Sequence, residues 1–142
     1  MTQCRSGRPS ESERWNKINA ARKLIEAEDW QPVNPGKLDA DLRELEDEFG
    51  TDWATDEDKI VLLKVALSEI RAEHYFEKRQ GPERSRELAT AGLEMWKFKW
   101  QSSKECFGKC VMYIKFSVIG TGDKGPLWIY SLHIDHPPSE QE

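Results

Sequence analysis

The spacing of apolar residues changes at Gly92, and this change constrains the fold more than any other feature of the chain. Upstream, apolar side chains recur every three or four positions; downstream they alternate. The first period places side chains on one stripe of a helix and the second places them on one face of a strand. Ser10 with Glu13 three positions later forms a capping-box pattern, and Trp15, Ile18, Ala21 and Ile25 then repeat at helical spacing to about residue 28. Residues 30–36, Trp-Gln-Pro-Val-Asn-Pro-Gly, contain two prolines and a glycine and are expected to form a connector. Leu38, Leu42, Leu45 and Phe49 give the stripe of a second helix over 37–49, stopped by Gly50. Thr55 and the acidic run 56–58 suit the start of a third helix, where the helix dipole favours negative charge. Its apolar face comprises Ile60, Leu63, Leu67 and Ile70, broadened by Val61 and Ala66, and the pattern continues towards Tyr75 and Phe76 before Gly81-Pro82. Residues 83–92 are expected to add a short helix closed by Gly92.

Beyond Gly92, Trp96, Phe98 and Trp100 alternate with Lys97, Lys99 and Gln101. In 111–119, Met112, Ile114, Phe116 and Val118 alternate with Tyr113, Lys115 and Ser117, and a third run covers 127–134. Short connections between these runs imply an antiparallel meander. The expected fold is α+β: three N-terminal helices packed on one face of a C-terminal three-stranded antiparallel sheet over 94–134. Residues 10–135 are expected to form one domain, with flexible ends at 1–9 and 136–142.

The 142 residues carry a net charge of -5, but the charge is unevenly placed. Residues 1–70 hold ten Lys and Arg against sixteen Asp and Glu, whereas 78–115 hold nine bases against four acids. The overall acidity argues against nonspecific coating of nucleic acid or anionic membrane, while a confined basic face still suits a phosphate backbone. No apolar stretch approaches the length of a membrane-spanning helix, and the N-terminus lacks the apolar run of a signal peptide. Cys4, Cys106 and Cys110 make an odd count with no framework of spacings, so free thiols and a cytoplasmic location are expected. His133 and His136, three apart and next to Asp135, could bind a metal, but Cys106-x3-Cys110 lies in a different loop and matches no standard zinc spacing, and no metal or cofactor is expected. The glycines of 120–125 precede no helix, so they do not form a phosphate-cradling loop.

With the apolar sides turned inward, Lys97, Lys99, Gln101, Tyr113, Lys115 and Ser117 share one polar sheet face. The third strand adds either Ser131 and His133 or Trp128 and Tyr130, and the residues leave both orientations open, with His133 favoured on the polar face. Cations interleaved with aromatic rings suit an RNA backbone and unpaired bases, with Trp100 and Trp128 as candidate stacking surfaces. Tyr, His and Lys are also the side chains that metal-free cleavage through a ribose 2′-hydroxyl requires. Segments 113–119 and 127–133 resemble the end of MqsR-type toxin ribonucleases of the broad RelE-like group. Leu67-Ser68-Glu69, Phe76-Glu77-Lys78 and Met95-Trp96-Lys97 occur in an order similar to that family's helix and first strand. The resemblance covers about the last half of the chain and implies a catalytic Tyr113 on the central strand and a catalytic Lys78 at a helix end. The chain departs from the family where Lys97 follows Trp96 in place of a glutamine, and in its acidic N-terminal part.

The expected function is therefore a small, cytoplasmic, toxin-type RNA-cleaving protein. Tyr113, Lys115, His133 and Lys78 are its candidate catalytic residues, and Lys97, Lys99, Gln101, Trp100 and Trp128 its candidate substrate-binding residues. The alternative is a noncatalytic inhibitor, immunity protein or adaptor. Residues 39–58 contain ten acids, and a surface that acidic would meet a basic protein partner in a salt-sensitive way.

Overall fold

The structure is a computed structural model that describes residues 9–49, 56–76, 82–104, 107–119 and 125–135, except for the side chains of 46–49 and 56–58. Three α-helices, α1 (Glu11–Glu26), α2 (Pro35–Phe49) and α3 (Asp56–Glu69), accompany five strands. The strands are β1 (Trp30–Pro32), β2 (Glu83–Arg84), β3 (Glu94–Gln101), β4 (Val111–Ser117) and β5 (Leu127–Ile134). Ser10 caps α1 by accepting the Glu13 amide at 3.1 Å, as its spacing predicts. Asn34 does the same for α2 through the Lys37 amide, also at 3.1 Å, and Pro35 takes the first helical position, where its missing N–H leaves no gap.

The α+β class and three helices agree with the sequence reading, but the sheet does not match the expected three strands. Its order is β1-β5-β4-β3-β2, with β1 parallel to β5 and the remaining pairs antiparallel. Residues 30–32, expected as connector, form an edge strand despite Pro32. The Asp29 carbonyl accepts from Leu127 and the Val33 amide donates to Ile129, so Pro32 turns its missing N–H away from β5. Residues 83–84, expected as helix, pair with Met95 and Glu94 instead. The turn back to β3 uses Gly92 at φ 85, a backbone conformation that suits glycine, and Gly92 donates to the Ser85 carbonyl. The third helix also stops earlier than its pattern suggested. Arg22 from α1 donates to the carbonyls of Leu67 at 2.7 Å and Ile70 at 3.0 Å, satisfying groups left open at the end of α3. The chain then makes a 3-10 turn at Ala72–His74, and Tyr75 bridges to Phe98 of β3.

The apolar stripes of the helices meet one side of the sheet. Ile18, Ala21 and Ile25 of α1, Leu38, Leu42 and Leu45 of α2, and Leu63 and Leu67 of α3 form one buried cluster with strand residues including Trp96, Phe98, Ile114 and Phe116. On α3 the buried set is rotated from the expected one: Leu62 is enclosed and Val61 is 54% exposed. Burying each large aliphatic side chain contributes about 1.5–3 kcal/mol, so this cluster dominates stability.

The register of β4 and β5 resolves the ambiguity of the last strand. A bulge lies between Lys115 and Phe116: Ser131 pairs with Lys115 and His133 with Tyr113, while Ile129 pairs with Phe116 and Trp128 with Ser117. Tyr130 is the extra residue. One additional residue reverses the alternation, so Trp128, Ser131 and His133 all lie on the polar face instead of being alternatives.

Candidate functional site on the polar sheet face

Two rows of side chains cross the central strands on this face. Lys97, Lys115 and Ser131 are in register in one, and Lys99, Tyr113 and His133 in the next. Successive rows on one face are two residues apart, about 6.6 Å along the strand.

In the second row, the rings of Tyr113 and His133 stack at 4.9 Å between centroids and 18° between planes. Phe76 meets the other flank of Tyr113 edge-on at 6.3 Å, and the Lys99 ammonium lies 4.0 Å from the Phe76 centroid. Lys99 also pairs with Asp135 at 3.5 Å. His133 Nδ1 is 2.9 Å from the Ile134 carbonyl. A carbonyl only accepts, so Nδ1 carries the hydrogen and the lone pair of the neutral ring resides on Nε2.

The first row places two like charges directly opposite each other, an arrangement that destabilises an antiparallel pair. Lys97 is compensated by Glu83 of β2 at 3.1 Å. Lys115 is half-buried and, among the described residues, has no carboxylate within ion-pair distance; its Nζ lies 5.5 Å from the Tyr130 ring centroid. Burial first, then the charges of Lys97 and Lys37, hold its pKa below the usual lysine range against the pull of Glu83 and Glu87.

Lys37, from α2, adds a positive charge that acts on Lys115. It pairs with Asp41 at 3.6 Å, and Asp41 accepts the Leu132 amide at 3.4 Å, where β1 has ended and β5 has an open edge. Burial raises the pKa of Asp41, opposed by the charges of Lys37 and His133 and by the Leu132 hydrogen bond. Beside the two rows, a buried chain of hydroxyls ties the 82–93 segment to the sheet. Ser85 bonds Thr90 at 2.7 Å, and Tyr130 bonds both Thr90 and Ser117 at 3.0 Å.

The face therefore unites Tyr113, Lys115, His133, Lys97, Lys99 and Trp128, six of the residues expected there. Trp100 is a correction. It is 2% exposed and points into the core, where its Nε1 donates to Glu69 at 2.9 Å, so it offers no stacking surface. Gln101 sits at the far end of β3 with its amide bonded to the Lys109 carbonyl, closing the hairpin. Lys78 lies outside the described residues. Lys37, Asp41, Glu83 and Phe76 were absent from the expected site. Only Asp41 had a local signal, its position beside the buried Leu38/Leu42 stripe; the others depend on contacts between distant segments.

The acidic segment is partly turned inward. Asp39 bonds Lys59 at 2.8 Å, and Asp41 is held as described, whereas the side chains of Glu46, Asp47, Glu48 and residues 52–58 lie outside the described set. Among the described residues no group of three His, Cys, Asp or Glu side chains is placed to hold a metal ion, and no helix is long and apolar enough to cross a membrane. Comparison with known proteins finds no family model, characterised protein or solved structure that matches the chain.

Proposed function

We propose that the polar sheet face binds RNA and cleaves it through the ribose 2′-hydroxyl, as a small cytoplasmic ribonuclease of toxin type. The observation that supports this reading is the Tyr113–His133 stack, in register between two strands and bordered by Lys97, Lys99 and Lys115. The resemblance of 113–119 and 127–133 to MqsR-type ribonucleases points the same way.

His133 Nε2, holding the lone pair, takes the proton of the 2′-hydroxyl. The 2′-oxygen attacks phosphorus and forms a phosphorane, whose added charge the lysine ammoniums stabilise. The bond from phosphorus to the 5′-oxygen then breaks, Tyr113 gives that oxygen its proton, and a 2′,3′-cyclic phosphate and a free 5′-hydroxyl result. Phe76 and Trp128 supply aromatic surface for the flanking bases.

The test is cleavage of a fluorescent oligoribonucleotide in the presence of a chelator, with a 2′-deoxy control at the scissile nucleotide. Cleavage to a cyclic phosphate is expected, with the control intact and the rate reduced about 10²–10⁴-fold in His133→Ala. Intact RNA with the native protein, or equal rates in native protein, His133→Ala and Tyr113→Phe, would refute the proposal. Recovery of a basic protein from the host, lost on reversing the charge of Glu44, would favour the interaction reading.

A further inference from the structure

Building on the RNA reading, we infer that Lys37, Lys97 and Lys115 form a separate subsite for a phosphate next to the scissile one. The two rows divide the work between them. The Lys99–Tyr113–His133 row contains the two groups given proton transfers in the proposed reaction, His133 and Tyr113, whereas the Lys97–Lys115–Ser131 row presents opposed ammoniums and a buried hydroxyl. A strand of RNA running along β4 meets both rows, because their separation of about 6.6 Å suits neighbouring phosphates of an extended chain better than two oxygens of one phosphate.

Lys37 adds a third ammonium from outside the sheet. Asp41 holds it beside Leu132, which lies between Ser131 of the first row and His133 of the second, and its charge acts on Lys115. Two lysines directly across an antiparallel pair weaken the fold unless an anion joins them. Within the protein, Glu83 supplies one carboxylate, to Lys97 at 3.1 Å, and Asp41 supplies one to Lys37; Lys115 has none among the described residues. A phosphodiester, whose single negative charge is shared by two non-bridging oxygens, can bridge Lys115 to either neighbour, and Glu83 then acts as a competitor that the substrate displaces. The depressed pKa of Lys115 fits a cation held in wait for an anion.

The inference predicts that a trinucleotide with two phosphates binds more tightly than a dinucleotide with one, and that the gain resides in these lysines. The experiment is NMR titration of the full chain with 2′-O-methyl dinucleotide and trinucleotide, which cannot be cleaved through the 2′-oxygen. The native protein is expected to prefer the trinucleotide roughly tenfold, the scale of one charge-assisted hydrogen bond. Lys37→Ala is expected to remove most of that preference while leaving dinucleotide affinity near its native value, and Lys115→Met to weaken the trinucleotide several times more than the dinucleotide. Each should lower the slope of log affinity against log salt by about 0.7. Glu83→Gln should tighten trinucleotide binding severalfold. Retention of the amide spectrum in each variant verifies the fold, and Lys115→Met keeps the buried stem. Equal affinity of the native protein for both lengths, absence of binding, or variants that weaken both lengths alike would overturn the subsite. Cleavage assayed on separate RNA decides the ribonuclease reading independently: an uncut RNA alongside a lysine-dependent trinucleotide preference would refute catalysis and leave the subsite standing.

Discussion

Replacing Lys115 by methionine should stabilise the protein, although the residue lies at the centre of its candidate site. The side chain is half-buried between strands with Lys97 directly opposite. Its pKa is lowered by burial first, then by Lys97 and Lys37, with Glu83 and Glu87 opposing, so the surroundings taken together disfavour the charged form. Removing a like-charge cross-strand pair is worth about 0.2–1 kcal/mol. Relief of ammonium desolvation adds to this, while the contact with the Tyr130 ring, 5.5 Å away, is lost and is worth about 0.5 kcal/mol at a partly exposed site. Methionine keeps the packing of the stem and its sulfur can touch the same ring. The net expectation at pH 7 is about 1 kcal/mol of added stability. The pH dependence follows from linkage: with a folded pKa below the unfolded one, the unfolded chain holds more protons between the two values. The native protein therefore gains stability as pH rises through that window, and the advantage of Lys115→Met shrinks. Urea unfolding at pH 7 and at a series of higher pH values measures both effects from the midpoint at constant slope. A variant less stable than the native protein at pH 7, or an advantage that does not fall with pH, would refute the reasoning.

Two further substitutions test the supports of the site. Glu69 accepts from Trp100, Ser102 and both the amide and hydroxyl of Ser103; burial pushes its pKa up, but these bonds outweigh burial and hold it below the ordinary range. Glu69→Gln keeps the shape but loses acceptance at Ser103, and urea unfolding at pH 7 should show a loss of about 2 kcal/mol, taking two bonds at about 1 kcal/mol each, below the usual range for a charged acceptor because the site is partly exposed. With a depressed folded pKa, that contribution is present above the unfolded value near 4.3 and disappears as pH falls through the folded pKa, so the two proteins should converge in acid. Tyr130→Phe removes the link between Ser117 and Thr90, leaving each with one other partner, and should destabilise by about 1 kcal/mol. Hydrogen exchange should then quicken in 82–93 before the rest of the sheet.

Much of the helical core was legible because stripe and burial are set within a single element. Leu38, Leu42 and Leu45 are buried as their spacing implies, and 127–134 is a strand with those bounds. Elements that exist only through distant partners were not. Residues 30–32 become a strand because β5 lies beside them, and 83–84 because Glu94 and Met95 do. The bulge is hidden in the sequence for a related reason: Trp128, Tyr130, Ser131 and His133 cannot share one face under simple alternation, and only pairing with β4 shows the extra residue. Trp100 alternates like a face residue, yet its inward side follows from the whole apolar set, and Glu69 answers its polar atom. The site was legible as a row of residue types on β3 and β4, while its flanks, Lys37, Asp41, Glu83 and Phe76, are brought in by tertiary contacts.

The outer side of β5 also bears on how this chain behaves when crowded. Its neighbour β1 is three residues long and ends in a proline whose missing donor faces outward, and just beyond it the Asp41 carboxylate occupies the Leu132 N–H. A second molecule trying to add its own strand here would find few unclaimed donors and would have to evict a negative charge to gain the next one. The sheet's vulnerable border is thus closed to stacking into fibrils by one imino acid and one acid, and substituting Asp41 by alanine would open it.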